Sequence, residues 1–309
     1  MNQLQEIIPC YLEFCRTQKR LDEKTLKAYR IDLRQFAEHV NTNRGLDVSK
    51  ISREMLECYI AMMHREYKPK TVKRKLASLK ALFHYLEYEE IIVTNPFNRM
   101  RVKFREPVIL PKTIPLFAVE KFLITMYKDY GIATAKGQKE VILRDIAIIE
   151  LLFATGMRIS ELCALTPEAV DMHDRTILIY GKGSKERRIQ IGSDAVAEVL
   201  GNYAATYWEK MQRYGKFFVN QEGRPVSDQS IRRMIDRYAK KAGIELHITP
   251  HMFRHTFATS LLEEDVDIRY IQEMLGHSSI HITEIYTHVT VSKQRDILIK
   301  KHPRGRFRV

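Results

Sequence analysis

The first hundred residues carry apolar positions at a helical period. In "TVKRKLASLKALFHYL", Val72, Leu76, Leu79, Phe83 and Leu86 recur at steps of four, three, four and three, which lines one face of a helix. Similar stripes run through Leu26, Tyr29, Leu33 and Phe36, and through Met55, Tyr59 and Met62 to Met63. Stripes of this kind are buried against one another, so residues 1–103 are expected to form an all-α bundle. "TNPFNRMRVKFREPVILPKTIP" then carries prolines at 96, 107, 111 and 115, which no helix interior or central strand accommodates. Residues 104–114 are therefore read as an interdomain linker, and 115–309 as a second domain.

The second domain opens helically, since "VILRDIAIIELLFATG" has helical length and stops at Gly156. The pattern changes at "RTILIYGKGSKERRIQIG", where two β-rich runs flank Gly-Lys-Gly-Ser and predict a hairpin with its turn near residues 181–185. Helical periodicity returns from about residue 193. The expected fold is mainly α: a helical bundle followed by a mostly helical α+β domain with a small antiparallel sheet.

Charge narrows the partners. The chain of 309 residues has a formal charge of +13 and a pI near 9.5, which favours a polyanion such as nucleic acid or an acidic membrane surface. Residues 1–103 hold 20 Lys and Arg against 13 Asp and Glu, with a dense run in "REYKPKTVKRKLASLK". A solvated helix face explains such a run as well as a DNA contact does. In the sharper reading, Lys70, Lys73, Arg74 and Lys75 meet DNA phosphates at the positive N-terminal end of a helix. The most apolar run is broken by Arg144, Asp145 and Glu150, short of the roughly 20 apolar residues of a membrane span. The N-terminal "MNQLQEIIPCYLEF" does not look like a signal peptide. Cys10, Cys15, Cys58 and Cys163 form no CxxC pair and are expected as reduced, mostly packed thiols. A soluble cytoplasmic protein without membrane partners is expected.

Several motifs bear on chemistry. "HMFRH" and "HSSIH" each place two histidines at i and i+4, a zinc-like spacing. The first lacks the Glu of HExxH and sets the cationic Arg254 between its histidines, so no metal is expected. In "ITPHMFRHTFATSLL", Thr249 suits an N-cap and Pro250 the first helical position. His251 and Arg254 then lie on one face near the helix start, where a phosphate binds readily. Taken alone, that pair is more readily a capping histidine and a surface arginine. Arg158 follows the stop at Gly156, and Glu161 three residues on can hold its guanidinium if a new helix starts there. Lys182 would sit at the hairpin tip. In one continuous helix His277 and Tyr286 lie on opposite faces. A break at Gly276, with Ser278 or Ser279 capping the next helix, would let them converge.

The strings "ATGMRISEL", "GKGSKERRI", "TPHMFRHTFAT", "IQEMLGHSSI" and "IYTHV" together resemble the tyrosine recombinases, and among them the Xer-type site-specific recombinases. The likeness spans nearly the whole chain; Ser260, where a histidine is frequent, and "HITEIYTHV" are departures that leave the active-site positions untouched. The resemblance implies a SAM-like core-binding bundle and a recombinase catalytic domain. It makes Arg158, Lys182, His251, Arg254 and His277 the active-site group, with Glu161 bracing Arg158 and Tyr286 as nucleophile. It further implies duplex DNA carrying a specific core site as partner and a homo- or hetero-tetramer on DNA through the C-terminal helix of "VSKQRDILIKKHP". It implies no cofactor or metal, and no ATP, since a 3′-phosphotyrosine retains the bond energy that ATP would otherwise supply. A DNA-binding protein that keeps the fold without strand exchange is the alternative, and a metal-dependent nuclease the third.

Overall fold

The computed structural model describes residues 3–40, 47–100, 112–181 and 186–276, and the chain divides into two compact units, Met1–Val108 and Ile109–Val309. The first contains α1 (Leu4–Thr17), α2 (Glu23–Val40), α3 (Arg53–Glu66) and α4 (Pro69–Tyr88). All five apolar positions of the stripe in α4 are at most 2% exposed. Local chemistry sets the helix starts. The Ser52 hydroxyl accepts the Met55 N–H ahead of α3, and Pro69, whose missing N–H would have no helical partner there, opens α4. Phe36 meets Tyr59 and Phe83 edge to face, at centroid distances of 5.1 and 6.1 Å; these contacts join α2, α3 and α4 into one core.

The second unit is built around a helix that is apolar nearly all round. It comprises α5 (Leu116–Ile132), α6 (Lys136–Thr155), α7 (Ile159–Ala164), α8 (Asp194–Tyr214), α9 (Asp228–Lys241), α10 (Pro250–Glu263) and α11 (Ile268–Leu275). In α6, Ile142, Leu143, Ile146 through Ile149, Leu151 and Leu152 are all buried, so it has no solvent face to spare. Helices α5, α8 and α10 pack on it. Its buried acids are satisfied: Asp145 pairs with Arg144 and Arg237 at 2.6 and 2.8 Å, and Glu150 accepts the Tyr127 hydroxyl at 2.7 Å.

The sheet is antiparallel in the order β1 (Val170–Asp171), β2 (Thr176–Tyr180), β3 (Glu186–Gln190). Strands β2 and β3 pair Thr176 with Gln190 and Tyr180 with Glu186, which puts the expected turn residues between them. Ile177, Ile179 and Ile189 face the core.

Two sequence expectations change. Ile114, assigned to the linker by its neighbouring prolines, is 1% exposed and its N–H donates to Thr256 Oγ1 at 2.8 Å, so it belongs to the second unit. Cys10 and Cys58 are exposed, and only Cys15 is buried, because the helical stripe of α1 includes position 15 and skips position 10. Among the described residues no helix is long and apolar enough to cross a membrane.

Candidate active site

Two helix stops shape the site. Helix α6 ends on Gly156 with φ +59°, and α11 ends on Gly276 with φ +63°, both in the left-handed region that suits glycine. At Gly156 a side chain is excluded twice over, since a Cβ would lie 2.6 Å from Phe257 Cδ1 on α10 and 3.0 Å from Leu275 Cδ2 on α11. The tight reversal delivers Arg158 two residues later as the N-cap of α7. The Glu161 carboxylate then accepts the Arg158 backbone N–H and its Nη1, each at 2.8 Å. The expected brace is therefore present. The Arg158 side chain keeps 35% of its exposure, so part of the guanidinium stays open to a further anion.

Arg254 is brought in from α10 and is 4% exposed. It is a buried connector, where the local sequence taken alone favoured a surface arginine. Its Nη1 donates to the Gly156 carbonyl at 2.9 Å, across 98 residues of sequence, and its Nη2 to the Leu275 carbonyl at 2.7 Å. The acceptors are unpaired C-terminal carbonyls of α6 and α11, groups that no continuing helix turn can satisfy. Pro250 does open α10, but the Thr249 side chain makes no capping hydrogen bond.

His251 is exposed at the start of α10, and its imidazole titrates below the ordinary range. Partial burial is the main cause; the cations Arg232, Arg254 and Arg158 add to it, against an opposing pull from Asp228. His251 and Arg254 lie three residues apart in the first turns of α10. The shift favours the neutral imidazole, the form that can accept a proton. His255 is pushed down to about 4 by burial, His251 and Arg254.

Residues 132–293, more than half of the chain, match the family described as "Phage integrase family". A second, "Phage integrase, N-terminal SAM-like domain", matches residues 8–90. A tyrosine recombinase of Agathobacter rectalis is 62% identical over 307 residues, covering 99% of each chain. The chain belongs to the tyrosine recombinase family. The tyrosine recombinase XerC of Bacillus pumilus is 34% identical to this recombinase over 313 residues, again covering 99% of each. The fold of this chain matches that of the crystal structure of the XerH site-specific recombinase bound to palindromic difH substrate, a post-cleavage complex. That match has a TM-score of 0.71 at 22% identity and covers 93% of this chain and 83% of the other.

Among the described residues, Glu161 holds Arg158, Arg254 bonds to the Gly156 carbonyl two residues before Arg158, and His251 precedes Arg254 by three residues on α10. Lys182, His277 and Tyr286 lie outside the described residues, as do His281, His288 and the segment expected to form a C-terminal helix. Among the described residues no three of His, Cys, Asp and Glu gather as metal ligands. In the helical unit, Lys70, Lys73 and Arg74 are exposed near the start of α4. Lys75 departs from the expected phosphate contact. It is 2% exposed, its Nζ sits 3.3 Å from Asp32 Oδ1 and donates to Gln35, and it lies 4.7 Å from the Tyr67 ring centroid. The helical period explains this: position 75 lies next to the Val72, Leu76 and Leu79 stripe and points inward with it. Arg74 also pairs with Asp32 while remaining partly exposed.

One buried residue was missed by motif reading. Arg187 on β3 donates to both Glu161 oxygens, Nη1 to Oε1 at 3.0 Å and Nη2 to Oε2 at 2.7 Å. Its side chain is 9% exposed. Strand alternation carried the signal, because Arg187 is in phase with the core residue Ile189 and so on the inward face. Burial alone would raise the Glu161 carboxyl, but the hydrogen bonds from Arg187 and from the Arg158 backbone outweigh it and hold the group at about 2.

Proposed function

We propose that this recombinase cuts and rejoins duplex DNA at a specific core site through a 3′-phosphotyrosine at Tyr286. One observation supports this most strongly: Arg158 and Arg254, far apart in sequence, meet at the same helix stop, with Arg254 bonded to the Gly156 carbonyl, and His251, whose imidazole titrates below its ordinary range, opens the helix that carries Arg254. A pair of permanently charged planar donors next to a proton acceptor suits a phosphodiester whose negative charge grows in the transition state. The XerH structure is of a post-cleavage complex with its DNA substrate, which fits the same class of reaction.

In this reading the Tyr286 oxygen attacks phosphorus as His251 takes the phenolic proton, since a tyrosine of ordinary pKa is protonated at neutral pH. The bond from phosphorus to the 5′ oxygen breaks, and Lys182 gives that oxygen its proton. Arg158 and Arg254 neutralise the non-bridging oxygens, and His277 donates a hydrogen bond to the same phosphate. Attack by a 5′ hydroxyl reverses the step, so neither ATP nor metal enters the balance. Lys70, Lys73 and Arg74 contact duplex phosphates from the helical unit. Protomers assemble as a tetramer on DNA through the C-terminal helix, and the reaction takes place in the cytoplasm.

The test is to incubate full-length protein with sheared duplex DNA from the source genome, denature in detergent, capture protein-bound fragments and sequence them. A covalent adduct at one recurring site is expected. It should survive EDTA, need no nucleotide, and vanish in Tyr286→Phe. An adduct that persists in that variant refutes the nucleophile. Salt-sensitive binding without any adduct identifies a non-catalytic DNA-binding protein, and loss with EDTA a metal-dependent nuclease.

A further inference from the structure

Arg187 does more than neutralise Glu161. Besides its fork on that carboxylate, its Nε donates to the Met274 carbonyl at 2.8 Å, in the last turn of α11. The backbone then passes directly over it, for a Cβ on Gly276 would lie 3.0 Å from Arg187 Cδ and Nη1. One inward side chain thus touches three segments: its own hairpin strand, the carboxylate that seats Arg158, and the exit of α11. Each segment leads into an active-site position by sequence alone. Lys182 precedes β3 in the chain, Arg158 precedes α7 as its N-cap, and His277 follows Gly276.

The chemistry of the contact is specific to arginine. Glu161 accepts four hydrogen bonds, two from Arg158 and two from Arg187, which fills the acceptor capacity of a carboxylate. A lysine ammonium is a point donor; only a planar fork spans both carboxylate oxygens while a third nitrogen reaches a carbonyl on another element. Core filling needs none of this, and a methionine would occupy similar volume.

We propose that Arg187 is a positioning residue that sets Arg158 and the start of the His277–Tyr286 segment in register with the hairpin bearing Lys182. It acts through Glu161 and the Met274 carbonyl and does not touch DNA. This rests on the reading that those residues form one active site.

The test compares full-length wild type, Arg187→Lys and Arg187→Met on a nicked duplex carrying the site sequenced from the wild-type adduct. Measurements are the cleavage rate at saturating duplex, the duplex Kd in a Tyr286→Phe background, and the melting temperature. Hydrogen exchange of the Gly276 amide, which bonds to the Glu273 carbonyl at 2.9 Å, is followed on the same proteins without DNA. For Arg187→Met the cleavage rate is expected to fall at least 100-fold, well below its melting temperature, with Kd within 3-fold. Gly276 exchange should rise at least 10-fold. Arg187→Lys should recover part of the rate, remaining about 10-fold down. Wild-type cleavage in the folded Met variant, or a loss that only follows the unfolded fraction, overturns the proposal. So does a Lys variant equal to wild type or unchanged Gly276 exchange. If wild type forms no adduct, the recombinase reading fails, and the exchange measurement still decides whether Arg187 holds the end of α11.

Discussion

Glu161→Gln tests how the site is held together. The side chain keeps its size, but the amide presents one oxygen and an NH₂ group to a pocket lined by donors. In the wild type, Glu161 is 8% exposed and receives Arg158 N–H and Nη1, each at 2.8 Å, and Arg187 at 3.0 and 2.7 Å. Removing the charge leaves Arg187, 9% exposed, without its counter-ion, and breaking a buried pair by deleting one partner costs about 3–5 kcal/mol. Arg158, at 35% side-chain exposure, is screened by solvent and adds little. Proton linkage gives a second measure. The folded carboxyl is held at about 2 against an ordinary 4.5, which corresponds to about 3 kcal/mol. Because the folded value is depressed, that stability is fully present above pH 4.5 and is lost as pH falls through 2, with about half remaining at pH 3. Both routes give about 3 kcal/mol at pH 7. Urea denaturation followed by tryptophan fluorescence measures it, and the single tryptophan, Trp208 on α8, reports on the second unit alone. The variant should be about 3 kcal/mol less stable at pH 7, and the gap should narrow by about half at pH 3. A gap under about 1 kcal/mol at pH 7, the scale of an exposed pair, or one unchanged at pH 3, refutes the reasoning. The loss of stability from His255, whose folded form resists protonation between 6.5 and about 4, is common to both proteins and cancels.

Three further outcomes follow from particular contacts. Gly156→Ala should cost at least about 2 kcal/mol in the same denaturation assay, from the left-handed backbone and from a Cβ placed 2.6 Å from Phe257 Cδ1; wild-type stability would contradict it. The acid limb of the cleavage rate against pH, measured as kcat/KM, should lie below pH 6.5 because the free-enzyme His251 is depressed. His251→Ala should remove that limb and slow cleavage by about 10²–10⁴-fold. Lys70→Ala and Lys73→Ala should each reduce the slope of log affinity against log salt by about 0.9. Lys75→Met should leave that slope unchanged, since Lys75 is buried against Asp32.

Much of the architecture was written locally. The stripe from Val72 to Leu86, the stop at Gly156, the hairpin either side of residues 181–185 and the proline that opens α10 all depend on neighbours within a few residues, and all stand where the pattern put them. The brace between Arg158 and Glu161 is likewise an i, i+3 contact at the start of a helix. The linker assignment failed at Ile114 because its burial depends on Thr256, far along the chain. Lys75 was misjudged for a related reason: charge composition favours solvent, and only a partner such as Asp32 on another helix makes burial of an ammonium tolerable.

What the sequence determined by itself was the set of elements and the kinds of residue available to act on a phosphate, because helical and strand periods, caps and turns are short-range. What only the tertiary structure decided was which donors meet which acceptors. Arg254 reaches the carbonyls of Gly156 and Leu275, and Arg187 reaches Glu161 and Met274. Main-chain carbonyls are identical at every position and leave no mark in a sequence. They become distinctive acceptors only where a helix ends inside a folded core, and there a buried guanidinium is held in place by the groups it satisfies.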